Sequence, residues 1–291
     1  MSTAGHRVGL IGLGAMGAPM AGHLYDANVL DVVGNRSSGK VLAFVAQHPG
    51  TRGAVGIEDF APCEVVILNV SLDEDVLSNA RDLSSVLKPG SIVIDHSTVS
   101  QQTALEAARV LNAKGIHFID APVSGGVEGS RNGKLSVMVG AAAEDLERVQ
   151  SILETYGARV THMGPVGSGQ ATKAVNQIMV AGINEAVSEA LALGEALRLD
   201  PEKLIPTLMG GAASNWFLDK RGATMLRSEF TPGFKNAHML KDLHIVQGMA
   251  AEVGLVLPTL NQAERDYTTL SVEQGDADTS SLITLKRKSE I

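Results

Sequence analysis

The chain is poor in cysteine and in aromatic side chains. Its single cysteine, Cys63, excludes a disulfide within the chain and fits a reducing compartment. One Trp, three Tyr and six Phe leave the interior to Ala, Val, Leu, Met and 31 Gly, as expected of buried parallel strands and closely packed helices. Basic residues form no long cluster and the formal charge is −8, so no nucleic-acid footprint is present. No apolar run reaches membrane-spanning length without a charge or a breaker. Residues 1–6 are short and polar and carry no targeting signal, so a soluble cytoplasmic protein is expected. Eight histidines are present, but there is no His-Glu-x-x-His and no close Cys/His spacing, and no metal site is expected.

With 291 residues, 44% of them hydrophobic, the chain is long enough for two domains. Up to about residue 165, short β-branched runs alternate with helical patterns. Strands are expected near 7–11, 29–34, 64–69, 92–95, 116–120, 135–139 and 158–162. Helices are expected near 15–27, 38–47, 98–113 and 143–156. Continuous apolar strands joined by helices of this length imply a mainly parallel sheet covered on both faces. From Gly167 the period becomes helical throughout, with segments near 170–197, 201–209, 214–226, 234–253 and 258–274. The expected class is therefore α/β. A Rossmann dinucleotide-binding domain (1–165) precedes an all-helical substrate and oligomerisation domain (166–291) built on one long helix. The polar tail 276–291, with its Lys286-Arg287-Lys288 run, reads as a frayed end.

Gly12-Leu13-Gly14-Ala15-Met16-Gly17 stands between the first apolar run and helix-compatible sequence. In that position a G-x-G-x-x-G spacing has a mechanical reading. Gly12 allows the tight turn, Gly14 lets a pyrophosphate approach the backbone, and Gly17 permits close helix–strand contact. The amides and dipole at the helix start attract the phosphates. The second strand ends in Gly34-Asn35-Arg36-Ser37 rather than in the acidic residue usual for NAD. Arg36 suits a ribose 2'-phosphate, with Asn35 and Ser37 donating to the same group, so NADP is expected, with NAD possible. Asn69 and Val70 follow the third of the long strands and should pass beside the cofactor.

Ligands of such a sheet lie beyond the carboxyl ends of its strands. Three polar segments emerge there: the one at Asn69, Asp95-His96-Ser97-Thr98, and Asp120-Ala121-Pro122-Val123-Ser124-Gly125-Gly126. Ser124 and the amides of Gly125 and Gly126 form a donor cluster for a small carboxylate, and Ser97 or Thr98 can add a hydroxyl; turn bracing or helix capping is the alternative role for each hydroxyl. Lys173 sits in the first turns of the long helix, where the dipole disfavours a cation and burial pushes an ammonium pKa down. That suits a proton donor to a reacting carbonyl oxygen. Asn176 and Gln177, three and four positions on, share its helical face. Lys241 and Asp242 form a further polar pair in an otherwise helical segment.

Gly12-Leu13-Gly14-Ala15-Met16-Gly17-Ala18-Pro19-Met20, the 120–126 segment, Gly167-Ser168-Gly169-Gln170-Ala171-Thr172-Lys173 and Lys241-Asp242-Leu243 resemble the β-hydroxyacid dehydrogenase family over almost the whole chain. The resemblance implies that Lys173 is the catalytic acid/base and that Ser124, Gly125 and Gly126 grip the substrate carboxylate. It further implies that Asn176 and Gln177 orient the substrate and that Lys241 closes on the cofactor side. Members of that family bind NAD or NADP between domains and form dimers or tetramers through the helical domain. One departure is Ser100, where the family often has a proline after Asp-x-Ser-Thr. Two other readings are weighed: an imine reductase, which generally lacks a lysine at the Lys173 position, and a dehydrogenase-like binding protein without catalysis.

Overall fold

The computed structural model describes residues 7–287, which divide into two compact units with the boundary between Lys173 and Ala174. The first unit is an α/β sandwich. Its elements run β1 (Val8–Ile11), α1 (Gly17–Asp26), β2 (Leu30–Gly34), α2 (Ser38–Gln47), β3 (Arg52–Gly53), β4 (Val65–Leu68), α3 (Asp73–Val86) and β5 (Ile92–Asp95). There follow α4 (Gln101–Asn112), β6 (His117–Asp120), β7 (Val123–Ser124), α5 (Gly126–Arg131), β8 (Leu135–Gly140), α6 (Ala143–Leu153) and β9 (Gly157–Gly164). A 3-10 turn, Ile57–Phe60, lies between β3 and β4.

The sheet has the order β3-β2-β1-β4-β5-β6-β8-β7, with β9 also paired to β8. Strands β1 to β6 are mutually parallel where they pair. Strand β8 runs antiparallel to β6 and β7 and parallel to β9. The wholly buried Val65-Val66-Ile67-Leu68 run explains why a strand reads as continuous apolar sequence rather than as alternation. Val65 and Ile67 enter one core with Met20, Leu24, Phe44, Val149 and Ile152, whereas Val66 and Leu68 enter another with Val76, Leu83, Ala104 and Leu111. Successive side chains point to opposite faces, and helices cover both.

Several elements escape the sequence expectation. Helix α3 buries only Val76, Ala80 and Leu83 in 14 residues, so its apolar stripe is thin. Helix α5 is six residues long with two glycines, and β3 and β7 have two residues each. The sheet partners of β3 and β7 define them, not their composition.

In the second unit, α7 (Ser168–Ala196), which begins before the boundary, is followed by α8 (Pro201–Met209), α9 (Trp216–Leu226), α10 (Asn236–Glu252), α11 (Pro258–Gln274) and α12 (Ile283–Lys286). Two apolar clusters hold it. One joins Ala181, Met239, Leu243, Leu260 and Tyr267; the other joins Val187, Leu191, Phe217, Met225 and Ile283.

The expected frayed tail is corrected as far as Arg287. Asp278 caps a 3-10 turn at Thr279–Leu282, and Leu282 and Ile283 are fully buried. The Lys286 ammonium lies 2.6 Å from both Glu185 and Asp266. Arg287 makes a two-armed pair with Glu195, at 2.7 and 3.1 Å, and also bonds the Met225 carbonyl. Burial beside two carboxylates converts an apparent surface cation into an anchor, because those carboxylates would otherwise stand without a counter-charge. Lys288 lies outside the described residues.

Candidate functional site

The strand order reverses at β1, which pairs with β2 on one side and β4 on the other. The carboxyl ends of β1 and β4 therefore form the switch point where an open α/β sheet takes its ligand. Gly12 leaves β1 with φ +111, in the left-handed region, and a Cβ there would collide with the Asn69 carbonyl that follows β4. A Cβ on Gly17 would strike the Gly12 carbonyl. Gly14 differs from both, since nothing lies within 4 Å of its absent Cβ. Two glycines thus pack the turn and the third presents bare backbone. Helix α1 begins at Gly17 without a side-chain cap. Open backbone next to uncapped amides fits a dinucleotide pyrophosphate. Within the same loop Leu13 is buried, Met16 half-buried and Ala15 exposed.

Asn35, just past β2, braces this loop. Its Oδ1 accepts the Leu13 amide at 2.9 Å and its Nδ2 donates to the Ser37 carbonyl at 3.2 Å. Arg36 and Ser37 are exposed beside it. Asn69 is half-buried, and its amide donates to the Met20 sulfur at 3.4 Å. Val70 donates its amide to Ser97 Oγ at 2.9 Å, which ties the loop after β4 to the loop after β5. Ser97 is thereby buried as a brace, whereas Thr98 beside it is half-buried.

Lys173 is 8% exposed, and its ammonium donates to the Val123 carbonyl at 3.0 Å. Its neighbourhood is therefore the 123–126 segment. There Ser124 is half-buried, while Gly125 (φ +131) and Gly126 (φ +61) are exposed in conformations that favour glycine. Two residues with no role in the sequence expectation set up this arrangement. Asp120 accepts the Gly167 amide at 2.6 Å and the Gln170 amide at 2.8 Å, one on each carboxylate oxygen. Gln170 in turn donates to the Ser97 carbonyl at 2.8 Å and accepts the Val99 amide at 3.2 Å. The partners are 47 to 73 residues apart in sequence, so only the sheet topology brings them together.

On the second unit Asn176 donates to Gln177 Oε1 at 2.8 Å, and Gln177 donates to Asp242 Oδ2 at 2.7 Å. Lys241 pairs with Asp242 Oδ1 at 2.9 Å. Asp242 is buried and holds the two outer partners in place. Among the described residues no group of histidine, cysteine and carboxylate side chains could hold a metal ion, and no helix is long and apolar enough to cross a membrane.

Comparison with known proteins places these features in a wider set. Residues 7–164 match the profile described as the NAD binding domain of 6-phosphogluconate dehydrogenase. Residues 167–286 match the profile described as NAD-binding of NADP-dependent 3-hydroxyisobutyrate dehydrogenase. The chain is 34% identical to 2-hydroxy-3-oxopropionate reductase of Escherichia coli strain K12, over 95% of this chain and 96% of that protein. Its fold is similar to that of Mycobacterium tuberculosis 3-hydroxyisobutyrate dehydrogenase solved with L-serine, with a TM-score of 0.88, 29% identity, and coverage of 97% of this chain and 99% of that one. A third similar structure is Psf3 in complex with NADP+ and 2-OPP, with a TM-score of 0.86, 25% identity, and coverage of 96% and 99%.

His96 is fully enclosed and serves as structure. Its Nδ1 lies 2.5 Å from the Ala121 carbonyl and must donate to it, leaving Nε2 to accept from the Tyr156 hydroxyl at 2.8 Å. Burial lowers its pKa to about 4. Between pH 6.5 and 4 the unfolded imidazole takes up a proton that the folded one refuses, so this residue makes stability fall as pH falls. Asp120 acts in the opposite sense. Burial raises its pKa to about 6 against the lowering effect of the backbone amides, so its folded form binds a proton before the unfolded form does near 3.8. The stability of a His96→Gln variant, measured by urea unfolding, is expected to rise from pH 6.5 to 4.5 relative to wild type. An identical pH slope in both proteins would contradict the buried, neutral assignment.

Proposed function

Because the chain belongs to the β-hydroxyacid dehydrogenase family of NAD(P)-dependent oxidoreductases, we propose that it reversibly oxidises a small β-hydroxy acid to its semialdehyde with NADP as the preferred cofactor. The observation that carries this reading is the buried Lys173 ammonium, bonded to Val123 at the edge of a segment whose two glycines, Gly125 and Gly126, are exposed. A bound nicotinamide supplies or accepts the hydride. In the reducing direction Lys173 protonates the oxygen of the reacting carbonyl, and in the oxidising direction it takes that proton back. Ser124 and the amides of Gly125 and Gly126 hold the carboxylate, with Ser97 and Thr98 beside the same strand ends. Asn176 and Gln177 orient the substrate from the next turn of α7, Gln177 being fixed by Asp242. Gly12, Leu13, Gly14, Ala15, Met16 and Gly17 take the pyrophosphate, Asn69 and Val70 flank it, and Lys241 completes the cofactor side.

Arg36, with Asn35 and Ser37, gives the preference for NADP. Its guanidinium is exposed next to the brace that Asn35 forms with Leu13, which fits recognition of a ribose 2'-phosphate. We further propose a cytoplasmic homodimer or homotetramer formed through the helical unit. Val175, Met179 and Leu193 recur along one face of α7, Leu197 follows just past its end, and the four are 59–63% exposed, an apolar stripe that suits burial against another copy.

Replacement of Lys173 by alanine is expected to cut turnover roughly 10²-fold or more while leaving NADPH affinity nearly unchanged. Near-normal turnover in steady-state assays would remove Lys173 from the chemistry. Replacement of Arg36 by alanine is expected to weaken NADP far more than NAD. A charge-assisted contact of about 1.5–3 kcal/mol corresponds to roughly 10- to 150-fold in affinity. Equal losses for both cofactors in calorimetric titrations would show that the 2'-phosphate is not its target. Sedimentation velocity is expected to find an oligomer that Met179→Lys with Leu193→Lys dissociates; a monomeric wild type would sink the oligomer assignment.

A further inference from the structure

Asp120 does more in this unit than close a turn. It is fully buried at the end of β6, and each of its carboxylate oxygens accepts a backbone amide from the start of α7. The fold makes room for it with glycines. A Cβ on Gly140 would collide with Asp120 Oδ1, and one on Gly169 would lie 2.8 Å from Oδ2 and 2.6 Å from the Asp120 carbonyl. Three residues further along, Val123 accepts the Lys173 ammonium. A single short segment, 120–123, therefore grips α7 at two points: its first amides through a carboxylate, and its lysine through a carbonyl. Both contacts act on the first turns of α7, the part of the helix that carries the ammonium.

We propose that Asp120 is a positioning residue for Lys173, fixing the first turn of α7 and supplying the negative charge that keeps the lysine protonated. The proposal rests on Lys173 being the proton donor. Uncapped amides at a helix start carry partial positive charge, which disfavours a cation on the first turns. A carboxylate accepting two of them cancels that field and adds an opposite charge. Asp95 on β5 stands in register with Asp120 and accepts the Ser97 amide. His96 is held neutral by its burial. His162 on β9 bonds the Ala141 carbonyl. Burial that raises the Asp120 pKa to about 6 still leaves it charged at neutral pH, where the lysine works.

Asp120→Asn keeps the size, removes the charge and leaves one acceptor for the two amides, so its melting temperature is read beside its pH profile. In the reducing direction kcat/KM falls as pH rises through the pKa of the proton donor. Loss of the charge is expected to move that basic limb to lower pH by about one unit, with NADPH affinity unchanged. A folded Asp120→Asn enzyme with lowered melting temperature but an unmoved limb would overturn the proposal, since a merely structural cap predicts that outcome. The coupling is also readable without altering Asp120. The Gly167 and Gln170 amides bond its carboxylate, so their NMR shifts follow its titration. In Lys173→Met their midpoint is expected to rise above the wild-type value, because linkage is reciprocal; an unchanged midpoint would overturn the proposal even if Asp120→Asn fails to fold. Lys173→Ala separates the two levels: retained turnover with the same basic limb means that another group is the proton donor, and the functional reading itself falls.

Discussion

A helix that starts in a buried place must find acceptors for its first amide hydrogens, and the Asp120 carboxylate supplies them for α7. The organisation of the lysine's surroundings follows from that one contact. Because the cap comes from the end of β6, the start of the helix is registered against the carboxyl edge of the sheet. Gln170, on the first turn, then reaches the backbone at Ser97 and Val99, and Lys173, one turn on, reaches the carbonyl of Val123. Ser97 continues the chain of contacts to Val70. The loops after β4, β5 and β6 are thereby tied to one another by hydrogen bonds that are almost entirely buried. A buried network of this kind is costly to leave half-made, and that cost is what holds the lysine in one place.

The glycine-rich turn illustrates the same economy in a different material. Gly12 and Gly17 are required by contact with the Asn69 and Gly12 carbonyls, whereas Gly14 is required by nothing within the chain. Packing explains the first two, and the open space at the third is what an approaching ligand would need. Asn35 adds a cross-brace through Leu13, which ties the turn to the end of β2. The Asn35 side chain, expected from sequence to donate to a phosphate, bonds Leu13 and Ser37 within the protein, beside the exposed Arg36.

Much of this was legible in the chain. Buried strands such as Val65–Leu68 announce themselves by unbroken apolar sequence, and α8 and α11 by a proline at their first turn. The glycine fingerprint and the Gly167-to-Lys173 stretch identified the family. What could not be read depends on partners distant in sequence. Asp120 is one polar residue at a strand end until the fold brings Gly167 and Gln170 to it. His96 stood in a segment that pointed toward ligand, and only the position of Tyr156, 60 residues on, turns it inward. Lys286 and Arg287 looked like a solvated basic run because their carboxylate partners lie on α7 and α11. Helix α3 was missed although Val76, Ala80 and Leu83 recur at helical spacing, since charged and polar residues fill most of its other positions.

The central claim is that the 123–126 segment and Lys173 together form the reaction centre. The most direct measurement is a crystal structure of the protein with NADP and a non-reacting β-hydroxy acid analogue. The account predicts that the analogue's carboxylate accepts hydrogen bonds from Ser124 and from the Gly125 and Gly126 amides, with its hydroxyl oxygen within hydrogen-bond reach of the Lys173 ammonium. A carboxylate bound elsewhere, with Ser124 only bracing its turn and the Lys173 ammonium still on the Val123 carbonyl, would contradict it.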